Sequence, residues 1–281
     1  MTKRLVIILV SVVALVGLVA GGVFLFAGGA TGGDERAAVE AESGAAPASE
    51  ADDDFGTVKI YRVVDGDLEP AASGLTKQVW DTFVRVVTPD FASEVMSQYR
   101  VGDAPDSDTL AYVYQDDDPD YWILAANLAT SEDESQLIAT LVHEYAHILT
   151  LPGTEMDQAA TSCETIELSE GCARDDSYLL AFEQQFWAGY DESAPTADND
   201  DADVAYDFYL AHEEDFVSDY AATNVVEDVA ESFMTFVLED QPSADTVTVT
   251  AAKLNFFWQY PELVTIRERI RAEFQTELGL G

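Results

Sequence analysis

Residues 131–150 read SEDESQLIATLVHEYAHILT, and both the fold and the chemistry can be worked outward from this stretch. Ser131 followed by Glu134 forms a capping box, in which the hydroxyl and the carboxylate each satisfy a backbone N–H of an opening helical turn. Behind it, apolar residues recur every three or four positions up to Ile148, the period of a helix with one face on a core. The spacing predicts a helix from near Glu132 to about Thr150, ended by Pro152 and Gly153. In its middle lies His143-Glu144-Tyr145-Ala146-His147, an H-E-x-x-H. Residues four apart share a helical face, so the two imidazoles can converge on one metal ion, while Glu144, about 100° round the axis from His143, can reach a water held there. The chain has only three His, which makes this spacing specific. The competing reading is two histidines satisfied on a helix surface, with no metal.

The metal this motif implies is Zn2+, which takes a third protein ligand in catalytic sites and keeps its fourth position for water. A metzincin would have Gly three residues after His147 and His six residues after it; Thr150 and Gly153 stand there instead. The segment Glu227-Asp228-Val229-Ala230-Glu231-Ser232-Phe233 offers carboxylates at i and i+4 of one helical face. Glu227 could ligate, and Glu231, one turn on, is spaced to take the other ring N–H of His143, as outer acceptors of metal-bound histidines do. Taken alone, two such glutamates are ordinary solvated charge. His212, in Tyr209-Leu210-Ala211-His212, competes with Glu227 for the third place.

These motifs resemble those of the Glu-zincins, most closely the anthrax lethal factor and Pro-Pro endopeptidase branch. The likeness rests on the H-E-x-x-H helix, a later helix with Glu227 and Glu231, and Asp219-Tyr220 just ahead of it, and it spans His143 to Phe233. It implies that His143, His147 and Glu227 hold zinc, that Glu144 is the general base, that Tyr220 stabilises the oxyanion, and that Glu231 orients His143. It also implies that Trp122–Leu128 serves as the edge strand that aligns substrate. The activity implied is that of a zinc metalloendopeptidase acting on a peptide or protein, although the likeness carries neither Pro-Pro specificity nor toxin activity. A different class, a non-catalytic zinc-binding envelope domain, fits the same ligands without hydrolysis.

The rest of the sequence sets the context. Lys3 and Arg4 precede a 22-residue apolar run, Leu5–Phe26, long enough as a helix to span about 33 Å and cross a bilayer. The positive-inside bias then puts the chain beyond residue 27 outside the cytoplasm, either membrane-anchored or, after cleavage among the small residues near Ala27, secreted. The chain accordingly divides into an anchor (1–27), a Gly/Ala/Ser/Asp/Glu-rich flexible tether (28–54) and one catalytic-sized domain (55–281). In that domain strand patterns come early (57–64, 110–114, 122–128) and helical ones dominate later (177–187, 204–212, 227–238, 261–278), with an early helix at 76–87. The class expected is α+β, a small sheet succeeded by mostly helices. Cys163 and Cys172, nine positions apart, are expected to form a disulfide outside the cell. Asp198, Asp200, Asp201 and Asp203 could ligate calcium, but they lack the mid-loop Gly and closing Glu of an EF-hand. Thirteen Lys and Arg against 54 Asp and Glu give a net charge of −41, which repels phosphate backbones and makes nucleic acid a poor partner.

Overall fold

The computed structural model describes residues 46–280. The anchor expected over 1–27 and the tether up to residue 45 lie outside them. Among the described residues, no helix is long and apolar enough to cross a membrane. The class is α+β, as the sequence pattern indicated.

The last part of the expected tether is folded. Residues Ala48–Asp52 form strand β1, antiparallel to β2 (Gly56–Val64), and a short β3 (Asp67–Glu69) pairs with the far end of β2. The turn between β1 and β2 is built by Asp52, whose Oδ1 accepts the N–H groups of Asp54 and Phe55 at 3.0 and 2.8 Å. Gly56 comes next at φ +71°, a backbone conformation open to glycine. Composition alone placed 48–54 in the tether because an exposed edge strand needs a partner's backbone rather than apolar side chains of its own.

Helix α1 (Gly74–Val87) buries Val79, Trp80, Phe83, Val86 and Val87, as its stripe requires. A short α2 (Pro89–Val95) then leads into β4 (Met96–Gly102). Strands β5 (Ala111–Gln115) and β6 (Trp122–Asn127) complete a sheet of order β1-β2-β4-β6-β5, with β3 on β2. β6 therefore lies inside the sheet, parallel to β4 and antiparallel to β5, and all six of its residues are buried. This corrects the expectation for Trp122–Leu128: the edge strand on this side of the sheet is β5. The unbroken apolar run Trp122–Ala126 is what a strand covered on both faces needs.

Helix α3 (Glu134–Thr150) is next in the chain. Its cap is Asp133, whose Oδ1 accepts the Gln136 N–H at 2.9 Å, and not Ser131. Ser131 instead closes the preceding 3-10 turn, donating to the Asn127 carbonyl at 2.6 Å. Three short strands, β7 (Met156–Asp157), β8 (Glu167–Leu168) and β9 (Gly171–Ala173), form a second sheet in the order β7-β9-β8. The disulfide Cys163–Cys172 ties that sheet's outer loop to β9.

Helices α4 (Tyr178–Phe186), α5 (Ala202–His212), α6 (Val225–Leu238), α7 (Val249–Phe257) and α8 (Pro261–Glu273) make up the rest. α6 is buried along nearly its whole length and packs on α3, which in turn meets α1 and β5. Arginines of α8 close the C-terminal ends of two helices. Arg267 donates to the carbonyls of Phe236 and Glu239, Arg271 to those of Val237 and Leu238, and Arg269 to those of Arg85 and Val86. Cations on these unpaired carbonyls also oppose the negative helix ends.

Candidate metal centre

The site lies where α3 and α6 pack. His143 and His147 occupy one face of α3, and Glu227 sits in the first turn of α6, where Asn224 caps the helix by accepting the N–H groups of Val226 and Glu227 at 2.8 and 2.9 Å. His143 Nε2 lies 3.1 Å from His147 Nε2 and 3.1 Å from Glu227 Oε2, and His147 Nε2 lies 3.4 Å from the same oxygen. All three residues are buried, and together they could hold a metal ion; among the described residues this is the group of His, Cys, Asp and Glu side chains that converges in this way.

On the far side of its ring, His143 Nδ1 lies 2.8 Å from Glu231 Oε1, so that nitrogen carries a proton toward the carboxylate while Nε2 faces the cluster. Glu231 is itself held by Ser218, whose Oγ donates to Oε2 at 2.6 Å. His147 Nδ1 has no such partner.

Glu144 is fully buried, and no side chain donates a hydrogen bond to its carboxylate. Burial pushes its pKa up to about 7, against the lowering effect of His143 and His147 and of the Val113 backbone in β5. Burial also acts to raise Glu227, but the two histidines outweigh it and hold that carboxyl at about 2. For His143 burial favours the neutral ring, yet its contacts with Glu227 and Glu231 carry the pKa well above the ordinary value. Three buried carboxylates around two imidazoles, with no Lys or Arg paired to them among the described residues, make a pocket that demands positive charge.

Tyr220 stands in a 3-10 turn (Tyr220–Ala222) with its ring centroid 5.9 Å from that of His143, and it packs on Leu110 at the head of β5. His212, the rival third ligand, is elsewhere: it packs on Tyr190 and Phe208 at the end of α5, with Nδ1 3.8 Å from Asp215. The acidic loop does not gather its carboxylates either. Asp201 caps α5 by accepting the N–H groups of Asp203 and Val204, and Asp198 accepts the Thr196 hydroxyl. Its neighbour Asn199 is pinned to the start of α6 through Thr223 and Asn224.

Sequence reasoning missed Ser218, and it missed Asp228 on the opposite side of α6. Asp228 receives Trp187 Nε1–H at 2.7 Å and the Ser232 hydroxyl at 3.2 Å, and forms a 2.6 Å ion pair with Lys253. Nothing marks a lone Ser or Asp as buried in the primary structure. The Asn three residues before Glu227, ahead of an apolar run, was a usable cap signal.

No family model matches this chain, and neither a curated protein nor a solved structure matches it.

Proposed function

We propose that the protein is a zinc-dependent metalloendopeptidase of the Glu-zincin type, held outside the cytoplasm by its N-terminal apolar run. The observation that carries this is the ligand triangle, with edges of 3.1, 3.1 and 3.4 Å. Ligands about 2.05 Å from a tetrahedral zinc stand about 3.3 Å apart, so one ion fits all three, and two imidazoles with one carboxylate leave a fourth position free. The Glu227 carboxylate faces the two imidazoles and has no Lys or Arg paired to it among the described residues, which fits a role toward a cation.

When bound, zinc would polarise a peptide carbonyl and make water a stronger acid. The chain's own residues supply the rest of this reading. Glu144, with a pKa near neutrality and no side-chain donor on its carboxylate, takes a proton from the attacking water and passes it to the departing amine. Tyr220 offers its phenol to the oxygen on which negative charge develops. β5 presents a free strand edge close to Glu144, on which an extended peptide can be laid by backbone hydrogen bonds. The disulfide suits an oxidising compartment outside the cytoplasm.

Metal analysis and peptide-library digestion of the full chain, with and without a chelator, test this reading. The expected result is one zinc per chain and chelator-sensitive cleavage. Glu144→Gln should keep the zinc and lose turnover, whereas His147→Ala should lose both. Cleavage by Glu144→Gln at the parent rate would overturn the mechanism. Zinc without cleavage of any peptide would favour the non-catalytic binding module.

A further inference from the structure

Ser218 lies in the segment between α5 and the Tyr220 turn, and it is buried together with Glu231, at 6% and 1% exposure. Its hydroxyl is engaged on both sides: it donates to Glu231 Oε2 at 2.6 Å and accepts the Ala221 N–H at 3.0 Å. A hydroxyl has one proton, so donating to the carboxylate while accepting from the turn fixes its rotation. One arm reaches His143 through Glu231 Oε1 at 2.8 Å, and the other closes the turn that carries Tyr220. His147 has no equivalent support, since its Nδ1 is without a partner, so the relay acts on the imidazole pair through His143.

We infer that Ser218 is a positioning residue that couples the metal-ligand geometry of His143 to the placement of Tyr220 through a single hydroxyl bridging Glu231 and the Ala221 amide. The inference rests on the zinc reading above and adds a residue to it. Without the hydroxyl, Glu231 Oε2 loses its donor, the carboxylate is freer to rotate away from His143, and the Tyr220 turn loses its hydrogen-bonded link to Glu231 of α6.

The test is zinc affinity of the full chain, read by competition with a chromophoric chelator. Ser218→Ala should weaken zinc binding by about tenfold or more, the usual effect of losing an outer support of a metal-bound histidine. Ser218→Thr, which keeps the hydroxyl, should stay within about threefold of the parent. Combined with Glu231→Ala, Ser218→Ala should add little further loss, because the two act on one path. A purely structural serine would lower the melting temperature of the metal-free protein equally in both backgrounds and leave zinc affinity alone; that result overturns the inference. Should Ser218→Ala fail to fold, the near-isosteric pair Ser218→Thr and Ser218→Val isolates the hydroxyl, and equal affinities for the two would overturn it as well. A parent that binds no zinc removes the metal reading and this inference with it, whereas a zinc-binding parent matched by Ser218→Ala removes the inference alone.

Discussion

Glu144 bears a penalty that its proposed task explains. A carboxyl whose pKa rises from 4.5 to about 7 on folding disfavours the fold as it ionises, so the sign is set: the penalty is absent below the unfolded value, grows as pH rises between the two and is complete above the folded one. In metal-free protein, Glu144→Gln should therefore be the more stable form at pH 8, by on the order of 3 kcal/mol, with the gap narrowing toward pH 5. Thermal melts in chelator at the two pH values measure this, and coincident melts at pH 8 would mean that the carboxylate is already stabilised within the protein. Tyr220 offers a separate check at the same scale. Tyr220→Phe keeps the ring's packing on Leu110 and removes the phenol proton, so kcat on a cleaved peptide should fall about 100-fold with zinc content unchanged.

At the scale of elements, α6 is the pivot, since it presents Glu227 and Glu231 to α3 on one side and Asp228 to α7 on the other. Burial raises the Asp228 carboxyl to about 6, against the lowering effects of Lys253, Trp187 and Ser232. Lys253 Nζ, fully buried, also sits 3.8 Å above the Phe216 ring. Removing one partner of such a pair leaves an uncompensated buried charge. Lys253→Met should cost about 3–5 kcal/mol in chemical denaturation, and adding Asp228→Leu should recover most of it. If the single and double variants proved equally unstable, packing rather than charge would hold this junction. The same scale shows where local patterns mislead. β4, with Gln98 and Arg100 between its buried residues, has too few apolar positions to announce a central strand. α7 begins in a β-branched run, Val247-Thr248-Val249-Thr250, that hides a helix held by Phe256, Phe257 and Lys253 against α6 and its neighbours.

Across the whole molecule, the tether and the domain are less separate than composition suggested. β1 pairs with β2 from Ala48↔Ile60 to Asp52↔Gly56, Glu50 pairs with Arg100, and the Tyr112 hydroxyl donates to Asp52. A chain begun at residue 55 should therefore melt below one begun at residue 46. A loss of at least about 2 kcal/mol corresponds to roughly 4–8 °C at this size, and equal midpoints would show β1 to be dispensable. The disulfide acts far more locally. Its loop of about ten residues contributes roughly 2.5–3 kcal/mol in the chain-entropy model. Reduction should lower the melting temperature while leaving zinc content intact, because the ligand residues lie outside the loop; loss of metal on mild reduction would contradict this.

What the sequence determined by itself was whatever is encoded in short-range spacing. The two histidines and Glu144 sit within five residues of one helix, so their common face is a consequence of helical geometry. The strand runs 57–64 and 122–128 and the helices at 177–187, 204–212, 227–238 and 261–278 were legible for the same reason. Only the tertiary structure decided which distant groups meet. It brought Glu227 rather than His212 to the imidazoles, put Ser218 behind Glu231, placed β5 at the sheet edge and drew residues 48–52 into the sheet. Such meetings depend on how α3, α6 and the sheet pack against one another, and packing between elements leaves no periodic trace in the chain.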